Sequence, residues 1–197
     1  MSDLYKSVLI YGPPGVGKGT VCKCLSISNG IIHISTGEIF REIDPNTKMG
    51  KMVKEYLDQG NLIPDDMTVD IWHEFVEDKI KFKEYDPSKQ YLLLDGIPRT
   101  LKQASLLEKY IKVEYIIVLD MEDKSKLIKR MKNRALIENR GDDLKDEILE
   151  KRVNIYLNDT IKLLKHYPND IIFHFNSDQK KLEVIRDVLI KFASILN

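Results

Sequence analysis

The chain has 197 residues, room for one α/β core with insertions but not for two ordinary domains and a linker. Its 31 lysines and arginines balance 31 aspartates and glutamates, so no net field argues for nucleic acid or an acidic membrane as partner. No apolar stretch approaches the roughly 20 residues that span a bilayer, and strand character by Ser7 leaves no room for a signal peptide; the only cysteines, Cys22 and Cys24, cannot bridge along one helix and suit a reducing, cytoplasmic setting.

The first apolar run, 8–11, is too short for a helix and reads as a buried strand that ends on a glycine-rich loop. A helix and a second strand, 31–35, follow. From 36 to about 90 the pattern turns helical, with helices near 37–43, 48–58 and 65–80, broken by Asp44-Pro45-Asn46 and Gly60-Asn61-Leu62-Ile63-Pro64. Strands return at 91–94, 115–119 and 171–175. After the fourth, a helix leads into a short excursion, 134–143, that reads as a small lid. In the last helix Leu182, Ile185, Val188, Leu189, Phe192 and Ile195 make one apolar stripe. Alternation of short buried strands with helices predicts an α/β fold with a doubly wound, five-stranded parallel sheet. The whole chain is then one domain, with its core at 1–35, 91–133 and 144–197, a helical insertion whose binding part is about 36–65, and the lid at about 134–143.

The strongest chemical signal is Gly12-Pro13-Pro14-Gly15-Val16-Gly17-Lys18-Gly19-Thr20, set between the first strand and a helix. Its spacing is that of a phosphate-binding loop (P-loop): glycines let backbone amides turn inward, the next helix aims its positive end at the same place, and Lys18 reaches the outer phosphates. The glycines do not fit the dinucleotide pattern G-x-G-x-x-G. Asp95 closes the third strand beside this loop, where a carboxylate can hold water on Mg²⁺. Arg99 offers a planar fork for a phosphate, and Gln103 an amide able to pair with the edge of a base. Only seven basic residues are arginine, Arg41, Arg99, Arg130, Arg134, Arg140, Arg152 and Arg186. Lysine serves elsewhere, and six of the seven, all but Arg186, fall in segments where two-pronged phosphate recognition would matter more than charge alone.

These motifs, together with Ser35-Thr36-Gly37-Glu38…Arg41, Gly60-Asn61-Leu62-Ile63-Pro64-Asp65, Asp95-Gly96-Ile97-Pro98-Arg99…Gln103 and Arg140-Gly141-Asp142-Asp143…Arg152, resemble the adenylate kinase family in order and spacing over nearly the whole chain. The resemblance implies a monomeric nucleoside-monophosphate kinase that moves the γ-phosphoryl group of Mg·ATP to AMP. It implies that Gly12, Pro13, Pro14, Gly15, Val16, Gly17, Lys18, Gly19, Thr20, Arg130, Arg134 and Gln179 meet ATP. Thr36, Arg41, Asn61, Leu62, Ile63, Gly96, Ile97, Pro98, Arg99, Gln103, Arg140 and Arg152 are the matching set for AMP. Lys18, Arg99, Arg134, Arg140 and Arg152 would carry catalysis by alignment and charge, with no general base required. No protein atom is expected to bind the magnesium directly; Asp95 acts through water. A UMP/CMP kinase and a silent nucleotide-binding module are the alternatives; Thr36 and Gln103 favour AMP, because pyrimidine-preferring relatives tend to place Ala and Asn there. The short lid has no cysteine, so no structural zinc is expected. The four histidines, His33, His73, His166 and His174, and Trp72 read as ordinary packing or surface residues.

Overall fold

A computed structural model describes residues 4–138 and 145–193. Five parallel strands form one sheet: β1 (Tyr5–Tyr11), β2 (Ile31–Ser35), β3 (Tyr91–Asp95), β4 (Ile111–Asp120) and β5 (Ile172–Asn176), in the order β2-β3-β1-β4-β5. Helices follow the strands as α1 (Lys18–Leu25), α2 (Thr36–Glu42), α3 (Lys48–Asp58), α4 (Asp65–Lys81), α5 (Leu101–Leu107), α6 (Lys124–Ile137), α7 (Asp146–Asn158) and α8 (Lys181–Ala193). The strands and helices lie where the periodicity places them, with β1 and β4 starting several residues earlier than the apolar runs suggest. At those strand starts the chain is less buried, so hydrophobicity marks only the covered part.

Covering both faces of the sheet explains why its strands read as continuous apolar runs instead of alternating ones. The period of two nevertheless divides them between two cores. Leu9, Tyr11, Leu92, Leu94, Ile116 and Val118 pack with Trp72 and Val76 of α4 and Leu107 of α5. Val8, Ile10, Leu93, Ile117 and Leu119 pack with Val21, Cys22 and Leu25 of α1, Leu127 of α6, and Val188 and Phe192 of α8. Trp72 is fully buried, in keeping with a packing role.

Several helix starts are built from short polar groups. Thr47 accepts from the amide of Gly50, Thr100 from that of Gln103, and Asp123 from those of Ser125 and Lys126, each satisfying donors that a helix leaves unpaired. In α4 the first turn is acidic (Asp65, Asp66) and the last basic (Lys79, Lys81), matching the helix dipole at both ends. Among the described residues no helix is long and apolar enough to cross a membrane.

Candidate active site

Parallel register brings three chain exits together. Ile10 pairs with Asp95 and Ser35 pairs with Asp95, so the phosphate loop, the start of α2 and the turn after β3 leave the sheet side by side. Open parallel sheets bind ligands at this carboxyl edge. A cavity of about 520 Å³ lies there, reached also by α3, α6 and α7.

The loop's glycines divide by duty. A Cβ on Gly12 would come within 2.8 Å of the Leu119 carbonyl oxygen and one on Gly15 within 2.7 Å of that of Leu127, whereas a Cβ on Gly17 or Gly19 would meet nothing within 4 Å. The first pair lets the loop pack on β4 and α6. The second pair keeps its concave side bare. Gly17 takes φ 116° at the start of α1 and supplies no side-chain cap; the Thr20 amide turns back to the Gly17 carbonyl at 3.0 Å, and the amides before it lead the helix toward an anion.

Lys18 Nζ donates to the carbonyls of Gly12 at 2.7 Å and Pro13 at 3.3 Å. Burial pulls its ammonium down to about 8, against the opposing charge of Asp95. For Asp95 burial works against ionisation, but the proximity of His33 and the charges of Lys18 and Arg99 outweigh it and hold the carboxyl below its usual range. Arg99 is lowered first by burial and further by the like charges of Arg152 and Arg41, with Asp95 acting in the opposite sense.

The other cations lean on backbone oxygens. Arg41 Nη1 donates to Gly37 at 2.6 Å, Arg99 Nε to Gly96 at 2.9 Å, Arg152 Nη2 to Leu57 at 3.2 Å and Arg130 Nη1 to Val16 at 3.4 Å. A phosphate oxygen is a stronger acceptor than any of these carbonyls. Arg130 and Arg134, four apart on α6, both line the cavity.

Of the residues singled out by sequence, Gly12, Pro14, Gly15, Gly17, Lys18, Gly19, Thr20, Arg41, Asn61, Leu62, Ile63, Asp95, Gly96, Pro98, Arg99, Gln103 and Arg152 line this one cavity with Arg130 and Arg134. Pro13 and Ile97 are not in its wall, and Val16 packs into the core beneath the loop. Thr36 is 1% exposed, its hydroxyl turned to the Asp95 carbonyl at 3.4 Å. It stands behind the wall and supports Gly96, where a Cβ would lie 2.6 Å from its oxygen. Gln103 is committed in this conformation: Oε1 accepts from the Arg99 amide at 2.7 Å and Nε2 donates to Asp65 at 2.9 Å. These bonds fix the amide plane and leave it one further N–H and one further lone pair for a base edge. Gln179 bonds instead to the Asn176 carbonyl and to Asp187 and does not reach the cavity. Arg140 lies outside the described residues, as do 139 and 141–144. Sequence reasoning missed the apolar wall provided by Phe40 and Leu57. The only signal was their position beside the Arg41 and Gly60 motifs.

The Asp95 carboxylate and the Thr20 hydroxyl face the same cavity and offer oxygen donors of the kind magnesium takes, directly or through water. The site therefore combines an amide cradle, the cationic side chains of Lys18, Lys23, Arg41, Arg99, Arg130, Arg134 and Arg152, and these oxygen donors around one space.

Known proteins point the same way. The family model described as "Adenylate kinase" matches residues 10–172. An adenylate kinase of Cyanothece sp. is 41% identical over 167 residues, covering 82% of each chain. One from Corynebacterium aurimucosum is 36% identical over 83% of this chain and 87% of its own, and one from Alkaliphilus oremlandii 32% identical over 96% and 99%. The chain belongs to the adenylate kinase family.

Proposed function

We propose that this chain transfers the γ-phosphoryl group of ATP, presented with Mg²⁺, to AMP, giving two molecules of ADP. The observation that carries the reading is convergence: Lys18, Arg41, Arg99, Arg134 and Arg152, from five separate stretches of chain, line one cavity with the glycine loop. A single nucleotide tail is too small to reach side chains arriving from all of these directions. Two phosphate groups in line would use them all.

In this reading the loop amides and Lys18 hold the donor's phosphates, with Arg130 toward the donor base. Arg41 and Arg99 fix the acceptor phosphate while Phe40, Leu57 and Ile63 offer its base an apolar wall. An acceptor phosphate oxygen bonds to the γ-phosphorus as the bond to the β-phosphate bridging oxygen breaks. The acceptor is already ionised, so no base is needed to remove a proton. Arg134 and Arg152, with Arg140, neutralise charge on the group in flight and exclude water that would turn transfer into hydrolysis. Asp95 and Thr20 would hold the magnesium, directly or through water, and the ion would supply positive charge to offset that of the donor's phosphates.

Initial rates with ATP and each of AMP, UMP, CMP and GMP test this. AMP is expected to be phosphorylated fastest. Faster turnover of UMP or CMP would give the assignment to a pyrimidine-nucleotide kinase, and nucleotide binding with no transfer to any acceptor would end the enzymatic reading.

A further inference from the structure

Behind the cavity wall three groups with no shared motif come together. Cys22 lies on the face of α1 that covers the sheet, His33 in mid-β2, and Asp95 at the end of β3. The register pairs His33 with Leu93 and Ser35 with Asp95, so strand alternation turns His33 and Asp95 to the face that α1 covers. One ligand atom from each of Cys22, His33 and Asp95 lies within 4.8 Å of the other two. His33 Nε2 is 3.9 Å from Asp95 Oδ2, too far for a hydrogen bond, and is buried with no hydrogen-bond partner. With no partner among the described residues, that imidazole nitrogen is open to a cation beside the thiol and the carboxylate.

We propose that Cys22, His33 and Asp95 form a binding site for a thiophilic divalent cation, zinc being the expected ion. Tetrahedral zinc bonds of about 2.3 Å to sulfur and 2.0–2.1 Å to nitrogen imply donor separations of roughly 3.3–3.6 Å. From separations of up to 4.8 Å, the donor atoms must draw together by up to roughly 1.5 Å to meet that geometry. Thiolate and imidazole select zinc over magnesium, which prefers an oxygen shell. The neighbouring Lys18 ammonium and Arg99 guanidinium oppose any cation, so binding depends on the metal–sulfur bond and not on local charge. The step involves no redox change: Cys22 loses its thiol proton to solvent, sulfur bonds to the metal, and His33 binds through neutral Nε2.

Of the three ligands only Asp95 lines the nucleotide cavity, so the ion enters from that side and its fourth coordination position faces it. Occupation withdraws Asp95 from magnesium. The inhibitory consequence rests on the phosphotransfer reading above; the metal site itself does not. The sequence numbers 22, 33 and 95 carry no ligand spacing, which is why only the folded chain brings the set together.

Cobalt(II) titration of the intact chain is the test, with zinc as competitor. The expected result is a thiolate-to-cobalt charge-transfer band that zinc abolishes, that is absent in Cys22→Ala, weakened in His33→Gln and unchanged in Cys24→Ala. Circular dichroism checks that each variant is folded. In parallel, added zinc should slow turnover at fixed Mg·ATP and AMP, and Cys22→Ala should tolerate at least about tenfold more zinc. No sulfur band, or a band that persists in Cys22→Ala and disappears in Cys24→Ala, overturns the site. A band that depends on Cys22 with turnover insensitive to zinc upholds the site and overturns the role given to Asp95, so the two failures are distinguishable.

Discussion

Arg99 shows what a single side chain does here. Its Nε is held by the Gly96 carbonyl at 2.9 Å, its backbone amide donates to Gln103, and its guanidinium feels the charges of Arg41, Arg152 and Asp95 at once. Lysine retains a positive charge but not the planar fork or the grip on Gly96. Misplacing an acceptor by about an ångström costs on the order of a hundredfold in rate. Arg99→Lys should therefore lower kcat/KM for AMP by about that factor while leaving KM for ATP nearly unchanged, as measured by varying each nucleotide in turn. A change below threefold would remove Arg99 from the acceptor clamp. The arginine positions were legible in the sequence because arginine is scarce in a lysine-rich chain. The carbonyls on which Arg41, Arg99, Arg130 and Arg152 rest were not, since a carbonyl acceptor leaves no mark on composition.

Among the elements, α3 carries the least obvious constraint. Gly50 sits in its first turn, and a Cβ there would fall 2.0 Å from the Asp44 carbonyl oxygen. Thr47 tightens the same turn, accepting from Gly50 N at 2.9 Å and donating to Asp44 O at 2.8 Å. In an open helix, replacing glycine by alanine stabilises by up to about 1 kcal/mol. Here overpacking, typically about 1–3 kcal/mol, opposes that gain, and a 2.0 Å contact to backbone places the clash at the upper end. Gly50→Ala should thus lower Tm by several degrees in a thermal melt; a higher Tm would show that the turn can open without cost. From sequence, Asp44-Pro45-Asn46 announced a break and the helical pattern over 48–58 announced the helix. The close approach between them is a property of two backbones and appears in neither pattern.

For the whole molecule the decisive feature is that α2 and α3 on one side and α6 and α7 on the other contribute to the same cavity. A ligand that fills both halves couples them. A bisubstrate analogue, two adenosines joined through a phosphate chain, should stabilise the fold by about 2.7 kcal/mol at a hundredfold excess over its Kd. For a chain of this size that is a Tm increase on the order of 5–10 °C. ATP or AMP alone at the same multiple of its own Kd engages one half, so hydrogen exchange should show α3 and α7 amides protected together only with the analogue. Lys18→Ala should keep the circular dichroism spectrum and lose most of the analogue's thermal shift. A full shift in that variant would mean that the loop lysine does not hold the phosphate chain.

By itself the sequence determined the alternation of strands and helices, the strand–loop–helix unit around Lys18 and the order of the phosphate-binding segments. Those features are written in local periodicity and in contiguous motifs, whose chemistry needs neighbours along the chain. The tertiary structure alone decided that Ser35, Ile10 and Asp95 share one register, that the amide of Gln103 is engaged by Asp65 and Arg99, and that Cys22, His33 and Asp95 meet. Each of these relations joins residues brought together by strand pairing and helix packing, and such long-range pairing leaves no periodic trace in the order of the residues.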